Sequence, residues 1–149
     1  MVRMLTQLIA SFLATVAFAV LFHVPKREFF YCGITGVIGW FFYLLTNDSL
    51  DSVVFASFVS SIAITVVSRF FAVNRKLPVT IFLISGIFPL VPGAGIYYTT
   101  YYILTHENTL AVSKGVEAIS IALAIAFGIM LIFFIPQKFF LWGKKRSKS

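Results

Sequence analysis

The sequence predicts an all-α membrane protein with about five transmembrane helices, the fourth of which is broken at a proline- and glycine-rich motif. Of the 149 residues, 60% are apolar and only 11% are charged, whereas soluble domains carry about 25% charged residues. The polar residues gather in short clusters between long apolar runs, as membrane-spanning helices require. One of these runs holds two prolines and three glycines between Gly86 and Gly95.

Five apolar runs reach, or nearly reach, the length of about 20 helical residues that a bilayer core requires. They form one transmembrane domain over residues 1–149, in which the last span can begin as early as Leu110. A basic tail follows at residues 136–149. The predicted spans are residues 4–24, 29–46, 53–72, 77–104 and 115–135, with the fourth broken near residues 89–93.

The first run must be distinguished from a secretory signal peptide. Arg3 gives it a weakly basic start, and Ala17-Phe18-Ala19 resembles a cleavage site. However, the run stays apolar through Phe22 before it meets Lys26. This continuation favours an uncleaved transmembrane helix.

The distribution of lysine and arginine predicts the orientation, because these residues are enriched in short cytoplasmic loops. We place the loop with Lys26 and Arg27 in the cytoplasm and let the chain cross at every run. All but Arg3 and Lys114 of the 12 Lys and Arg residues are then cytoplasmic. The N-terminus is predicted outside, and the C-terminal tail is predicted in the cytoplasm.

The fourth run cannot form a regular helix, because Pro89 and Pro92 interrupt the hydrogen-bond ladder and glycine is a poor helix former. As one straight helix it would reach about 42 Å, whereas the bilayer core is about 30 Å thick. A re-entrant loop is the alternative, but it would carry the basic tail to the outside. The charges therefore favour a broken helix that crosses the membrane.

Two stretches of the chain form a distinctive pattern: residues 21–27 leading into residues 32–36, and residues 87–93 followed by Tyr97 and Tyr98. Together they resemble the threonine/serine exporter (ThrE) family. The similarity spans nearly the whole chain, and the Pro-x-x-Pro-Gly core is its most specific part. Within the family, the chain resembles the small-subunit form.

The resemblance implies a transporter made of two halves in the bacterial plasma membrane, of which this chain corresponds to the C-terminal half. The partner is then a larger ThrE-type membrane subunit with a soluble N-terminal region. Family members are associated with export of threonine and serine, and the split form with succinate. A homo-oligomer stays open, and no cofactor or metal is expected.

The helix break is the candidate solute-binding site, because lipid cannot satisfy the main-chain groups that a break releases. Transporters use such breaks near the bilayer midplane. Pro92 can start a new half-helix, whose first N–H groups suit a carboxylate. The alternative is a kink that only serves packing. The candidate residues are Pro89, Pro92, Gly93, Ala94, Gly95, Tyr97 and Thr100.

Ionisable residues within spans are candidate functional groups. Glu117 is the candidate for binding a coupling proton, although it can instead pair with Lys114, which lies about one helical turn away. Arg69 lies about one turn from the cytoplasmic end of its span, from where its long side chain can reach the interface.

Small residues recur at helical spacing in two spans and predict close helix packing. Gly33, Gly36 and Gly39 lie near one face of the second span. Ser57 and Ser61 share a face of the third span with Thr65 and Ser68. A polar lining of a solute path is the alternative.

Several function classes are disfavoured. The net charge of +7 comes from cations scattered between apolar runs and in the tail, so nucleic-acid binding is not expected. Phosphate-binding loops, His-Glu-x-x-His and Gly-x-Ser-x-Gly motifs are absent, so an enzyme is not expected. We expect a secondary exporter of small carboxylate-bearing solutes; the alternatives are export of a dicarboxylate such as succinate or a non-transporting scaffold.

Overall fold

The chain is mostly helical in the part that the computed structural model describes, residues 2–136. In this part there are six α-helices, two short 3-10 turns at Lys26–Glu28 and Phe88–Leu90, and no strand. The fold class is therefore the all-α class that the sequence predicts. The helices are α1 (Val2–Leu21), α2 (Phe29–Leu50), α3 (Val53–Arg75), α4 (Val79–Ile87), α5 (Gly93–Leu104) and α6 (Asn108–Phe133).

Four of these helices, α1, α2, α3 and α6, are long and apolar enough to cross a membrane. The fifth candidate span is the pair of α4 and α5, which pass the same test together but are bent by 47° at the break. The break at the proline–glycine motif is thus present. By length and composition the pair is either one broken span or a re-entrant loop.

The helix ends differ from the ends of the apolar runs. α1 stops at Leu21, whereas α2 and α3 continue to Leu50 and Arg75, beyond the predicted limits of 46 and 72. α6 begins at Asn108 rather than at residue 115. Hydropathy marks where side chains become polar, but a helix ends where its main chain is capped. The predicted tail lies outside the described residues from residue 137 onward.

Left-handed residues end three of the helices in the same way. His23, Lys76 and His106 have φ values of 55°, 56° and 60°. In each case the next residue donates its main-chain N–H to a carbonyl five positions earlier, as Val24 does to Ala19 over 3.0 Å. This is the Schellman motif, which satisfies the last carbonyls of a helix and turns the chain sharply.

α3 is the central helix, because it packs against α2, α4 and α6. In its apolar window 44% of the residues are buried, against 17% for α1 at the edge of the bundle. α5 packs mainly against α6 and has no buried residue. The bend therefore moves α5 away from the helices that surround α4.

The glycines of α2 lie where neighbouring helices approach most closely. A Cβ atom on any of the three would come within 1.9–2.4 Å of a neighbouring side chain. These neighbours are Phe12 for Gly33, Thr15 for Gly36 and Ile64 for Gly39. Small residues at these positions thus let α1 and α3 pack tightly on α2.

Hydroxyl groups stabilise the same contacts. Ser60 Oγ donates to the carbonyl of Gly39 over 2.6 Å, and Ser11 Oγ donates to the carbonyl of Gly36 over 3.0 Å. The predicted polar face of α3 is fully buried and consists of Ser57, Ser61, Thr65 and Ser68. Ser57 and Ser61 donate to carbonyls of their own helix, and a Cβ atom on Gly128 of α6 would lie 1.9 Å from Ser61 Oγ, which places Ser61 at the contact between α3 and α6.

Candidate functional site

The break between α4 and α5 has a defined main-chain geometry. A 3-10 turn at Phe88–Leu90 follows α4, and Pro92 then takes φ −75° and ψ 57°. Gly93 N–H donates to the carbonyl of Val91 over 2.7 Å. A bond between residues two apart around these angles is an inverse γ-turn, so Pro92 turns the chain directly before α5.

The start of α5 leaves main-chain donors available. No side chain caps it, and the first N–H groups of any helix lack partners within that helix. In α5 these groups belong to Gly93, whose N–H is used by the γ-turn, and to Ala94 and Gly95. A Cβ atom on Gly93 would meet nothing within 4 Å, so the space beside this first turn is open.

A groove lies beside the break. It is formed by α1, by Trp40 of α2 and by Pro89 of the 3-10 turn. It has a volume of about 270 Å³. Trp40 Nε1 donates to Gln7 Oε1 across it over 3.4 Å, and the Trp40 ring stacks on Tyr43 with the centroids 5.0 Å apart. We call it the Trp40 groove; it is lined by Gln7, Ala10, Ser11, Ala14, Trp40 and Pro89.

The predicted site residues divide between this groove and the exposed side of α5. Pro89 lines the groove. Gly95 instead faces α6, where a Cβ atom would lie 3.0 Å from the Cβ of Ala118. Tyr97 is 65% exposed, and Thr100 Oγ1 donates to the carbonyl of Ile96 in its own helix. Neither residue lines the groove.

Glu117 lies on the exposed surface of α6. Its carboxylate accepts a hydrogen bond from Lys114 Nζ over 2.8 Å, and both side chains are more than 40% exposed. The structure thus contains the Lys114–Glu117 pair, which was the alternative to a coupling role for Glu117. A role in coupling stays a prediction.

Two other charged groups are buried and support the bundle. Arg69 donates to the carbonyls of Ile132 and Ile135 at the end of α6, at 2.7 Å for the second. Glu28, in the turn before α2, receives a bidentate interaction from Arg75, with contacts of 2.7 and 3.0 Å. Arg69 therefore holds the end of α6 against α3, and Glu28 holds the end of α3 against the start of α2.

Sequence reasoning missed the side chains that α1 and α2 contribute to the groove. Gln7 and Ser11 are four residues apart, so they share one face of α1, and this spacing is the one available signal. Nothing local connects them with Trp40 or Pro89. Among residues 2–136, no group of three or more His, Cys, Asp or Glu side chains is placed to hold a metal ion.

Comparison with known proteins identifies the family. The profile of the threonine/serine exporter family, ThrE, matches residues 7–135. The chain belongs to this family. A relative named threonine/serine exporter, from Corynebacterium glutamicum, is 27% identical over 125 residues, which cover 84% of this chain and 25% of that protein. This chain thus spans about a quarter of that relative's length. No solved structure matches it.

Family membership and the apolar helices together make the chain a multi-pass membrane protein of an exporter family. The matched segment includes the helix break and every residue that lines the Trp40 groove. The helix break, which the sequence predicted, and the Trp40 groove, which it did not, therefore both lie in the part of the chain that matches the family.

Proposed function

We propose that this chain is the membrane subunit of a secondary exporter and that it binds its solute in the Trp40 groove, beside the helix break. The solutes are small and carry a carboxylate, with threonine and serine as the first candidates. The chain acts as a transporter subunit and not as an enzyme. An ion gradient or the solute gradient itself supplies the energy.

The observation that carries this proposal is the meeting of the groove and the break. Gln7, Ser11 and Trp40 place amide, hydroxyl and indole groups in a part of the bundle that is otherwise apolar. Because Ser11 donates to the Gly36 carbonyl and Trp40 to Gln7 Oε1, the amide N–H groups of Gln7 are the donors that we assign to the solute. Such groups are costly in contact with lipid, so their presence favours contact with water, solute or protein. The positive end of α5 begins at Gly93, four residues after Pro89, and suits a carboxylate.

The size of the groove supports a small solute. Its volume of about 270 Å³ is slightly below the range of about 300–1,000 Å³ for small-molecule sites. An amino acid or a dicarboxylate is of the right order, whereas a peptide is not. Neutral donors can bind the hydroxyl group of serine or threonine as well as a carboxylate.

The length of the C. glutamicum relative supports a second subunit. This chain matches a quarter of that protein. Our proposal assigns the counterpart of the other three quarters to a larger ThrE-type membrane subunit. A complex that contains several copies of this chain is compatible with the proposal. In the bacterial plasma membrane the N-terminus is outside and the C-terminus is cytoplasmic, as the positive-inside rule predicts.

Reconstitution into vesicles tests the proposal. We would load vesicles with labelled serine, threonine or succinate and measure loss with this chain alone, with the candidate larger subunit alone, and with both. Gln7→Leu and Gly93→Val should each slow loss by about tenfold, because they remove a donor or cover the first turn of α5. Ser120→Ala is the matched control, since its hydroxyl donates within α6, away from the groove.

The outcomes separate the alternatives. Faster loss of succinate than of serine and threonine would identify the dicarboxylate exporter. Full transport by the larger subunit alone would favour a scaffold role for this chain. Normal transport by both Gln7→Leu and Gly93→Val, in variants that fold like the unsubstituted chain, would mean that solute does not bind in the groove.

A further inference from the structure

A second pocket lies beside the end of α1. It has a volume of about 260 Å³ and is bounded by the turn after α1 and by α4. We call it the His23 pocket; its lining includes Phe22, His23, Pro25, Thr80, Ile84 and Ser85. Like the Trp40 groove, it combines apolar side chains with a few polar groups.

The two pockets follow one another along the contact that α1 makes with α4 and its 3-10 turn. Along α1 and the turn after it, residues 7–14 line the Trp40 groove and residues 22–23 line the His23 pocket. Along α4 and its 3-10 turn the order is reversed, because residues 80–85 line the His23 pocket and Pro89 lines the groove. The pockets therefore lie at opposite ends of an antiparallel pair of helices.

Three phenylalanine rings lie where the groove gives way to the His23 pocket, and one of them, Phe22, also lines that pocket; Phe22 and Phe88 are 40% and 37% exposed. In the sequence, Phe18 of α1 lies between the groove residue Ala14 and the pocket residue Phe22, which follows α1, and Phe88 lies between Ser85 and Pro89. The Phe88 ring is 4.6 Å from the Phe18 ring and 5.0 Å from the Phe22 ring, measured between centroids. These rings, the Phe18–Phe22–Phe88 cluster, are in mutual contact.

We propose that the two pockets are the two ends of one solute path and that the Phe18–Phe22–Phe88 cluster is the barrier that closes it in this conformation. An apolar constriction excludes water and polar solutes without blocking the path by main chain. The proposal rests on the proposed function, because it extends the path of the same solute from the Trp40 groove to the His23 pocket.

The position of Phe88 gives the barrier a way to open. Phe88 is the first residue of the 3-10 turn at the break, whereas Phe18 and Phe22 belong to α1 and the turn directly after it. A rearrangement of this 3-10 turn, which directly precedes the 47° bend between α4 and α5, therefore moves one ring relative to the other two. Broken helices that rearrange around a site are a known route to alternating access.

Thiol labelling tests the barrier without requiring transport. Cys32 is the one cysteine of the chain, so Cys32→Ala gives a cysteine-free background. Ala14→Cys reports on the Trp40 groove, and Ile84→Cys reports on the His23 pocket. A charged, membrane-impermeant thiol reagent is added separately to the two sides of right-side-out and inside-out vesicles that contain the full chain.

With the barrier intact, each cysteine should react from one side only, and the two sides should be opposite. Adding Phe88→Ala should raise the rate of labelling from the other side by about tenfold for both positions. Phe55→Ala is the matched control, because it removes an equally large ring that pairs with Phe58 on α3. It should leave the sidedness unchanged.

The remaining outcomes contradict the proposal. Labelling of either cysteine from both sides in the presence of all three phenylalanines would mean that the cluster is not a barrier. Absence of reaction from either side would mean that lipid fills the pockets. Unchanged sidedness with Phe88→Ala would exclude Phe88 from the barrier. Intact sidedness together with failure of solute transport would count against the proposed function alone.

Discussion

The glycines of this chain occupy two contrasting environments. Gly36 faces Thr15 so closely that a Cβ atom would lie 1.9 Å from Thr15 Oγ1, whereas Gly93 faces open space at the start of α5. The first glycine is required by packing between α1 and α2. The second leaves the main chain of the break uncovered. The same residue type thus serves stability at one position and, in our proposal, access of solute at the other.

Gly36→Ala should destabilise the protein by about 1–3 kcal/mol, because the added methyl group forces α1 away from α2. The same displacement would lengthen the hydrogen bond from Ser11 Oγ to the Gly36 carbonyl. Unfolding of the detergent-solubilised protein in increasing dodecyl sulfate measures the effect.

Gly93→Ala is the matched control for this prediction. Its φ is not positive and its methyl group meets no neighbour, so stability should change by less than about 0.5 kcal/mol. Equal loss of stability in the two variants would contradict the assignment of Gly36 to a close helix contact.

Residue chemistry also explains which parts of the site could be predicted from the sequence. The break was predictable because Pro89 and Pro92 act on their own main chain, whatever surrounds them. The Trp40 groove was not, since it depends on which face of α1 meets α2. A hydropathy pattern gives the length of an apolar helix but does not specify its rotation. Gln7 therefore could not be connected with Trp40 from the sequence.

At the scale of helices, two ion pairs differ sharply in burial. The Glu28 side chain is 6% exposed and connects the start of α2 with Arg75 at the end of α3, whereas Lys114 and Glu117 form an exposed pair within α6. The ring of Tyr31 lies 4.7 Å from the Arg75 guanidinium. The first pair therefore holds two helices together, and the second lies on one helix surface.

Arg75→Met should lower the thermal unfolding temperature by roughly 5 °C or more, because it leaves the buried Glu28 carboxylate without its bidentate partner. Differential scanning fluorimetry of the purified protein measures this shift. Addition of Glu28→Gln to Arg75→Met should recover part of the loss, since the group left buried is then uncharged.

Lys114→Met is the comparison within α6 and should change the unfolding temperature by less than about 2 °C. A larger loss from Lys114→Met than from Arg75→Met would reverse the assigned roles of the two pairs. An effect of Lys114→Met or Glu117→Gln on transport, without an effect on stability, would support the predicted coupling role of Glu117.

Helix limits show a similar division between local and tertiary causes. The sequence indicated each apolar run. However, α6 begins at Asn108, so the polar turns before its apolar part are helical as well. α1 ends earlier than its apolar run, because the Schellman motif at His23 turns the chain. Composition thus located the helices, whereas main-chain caps determine where they end.

The bent pair of α4 and α5 determines the topology of the whole molecule. If the pair crosses the membrane, the turns at either end of it lie on opposite sides. If it is a re-entrant loop, they lie on the same side. Length and composition are compatible with both arrangements. The positive-inside rule favours crossing, because re-entry would carry the basic tail outside.

Cysteine labelling in intact cells distinguishes the two arrangements. In the Cys32→Ala background, Leu77→Cys reports on the turn before α4 and Thr105→Cys reports on the turn after α5. We expect an impermeant reagent to label Thr105→Cys in intact cells and Leu77→Cys only after permeabilisation. Ser49→Cys, near the end of α2, is the control and should be labelled from outside like Thr105→Cys. Labelling of both reporter positions from one side would establish a re-entrant pair, with the C-terminal tail then on the side opposite to the one we predict.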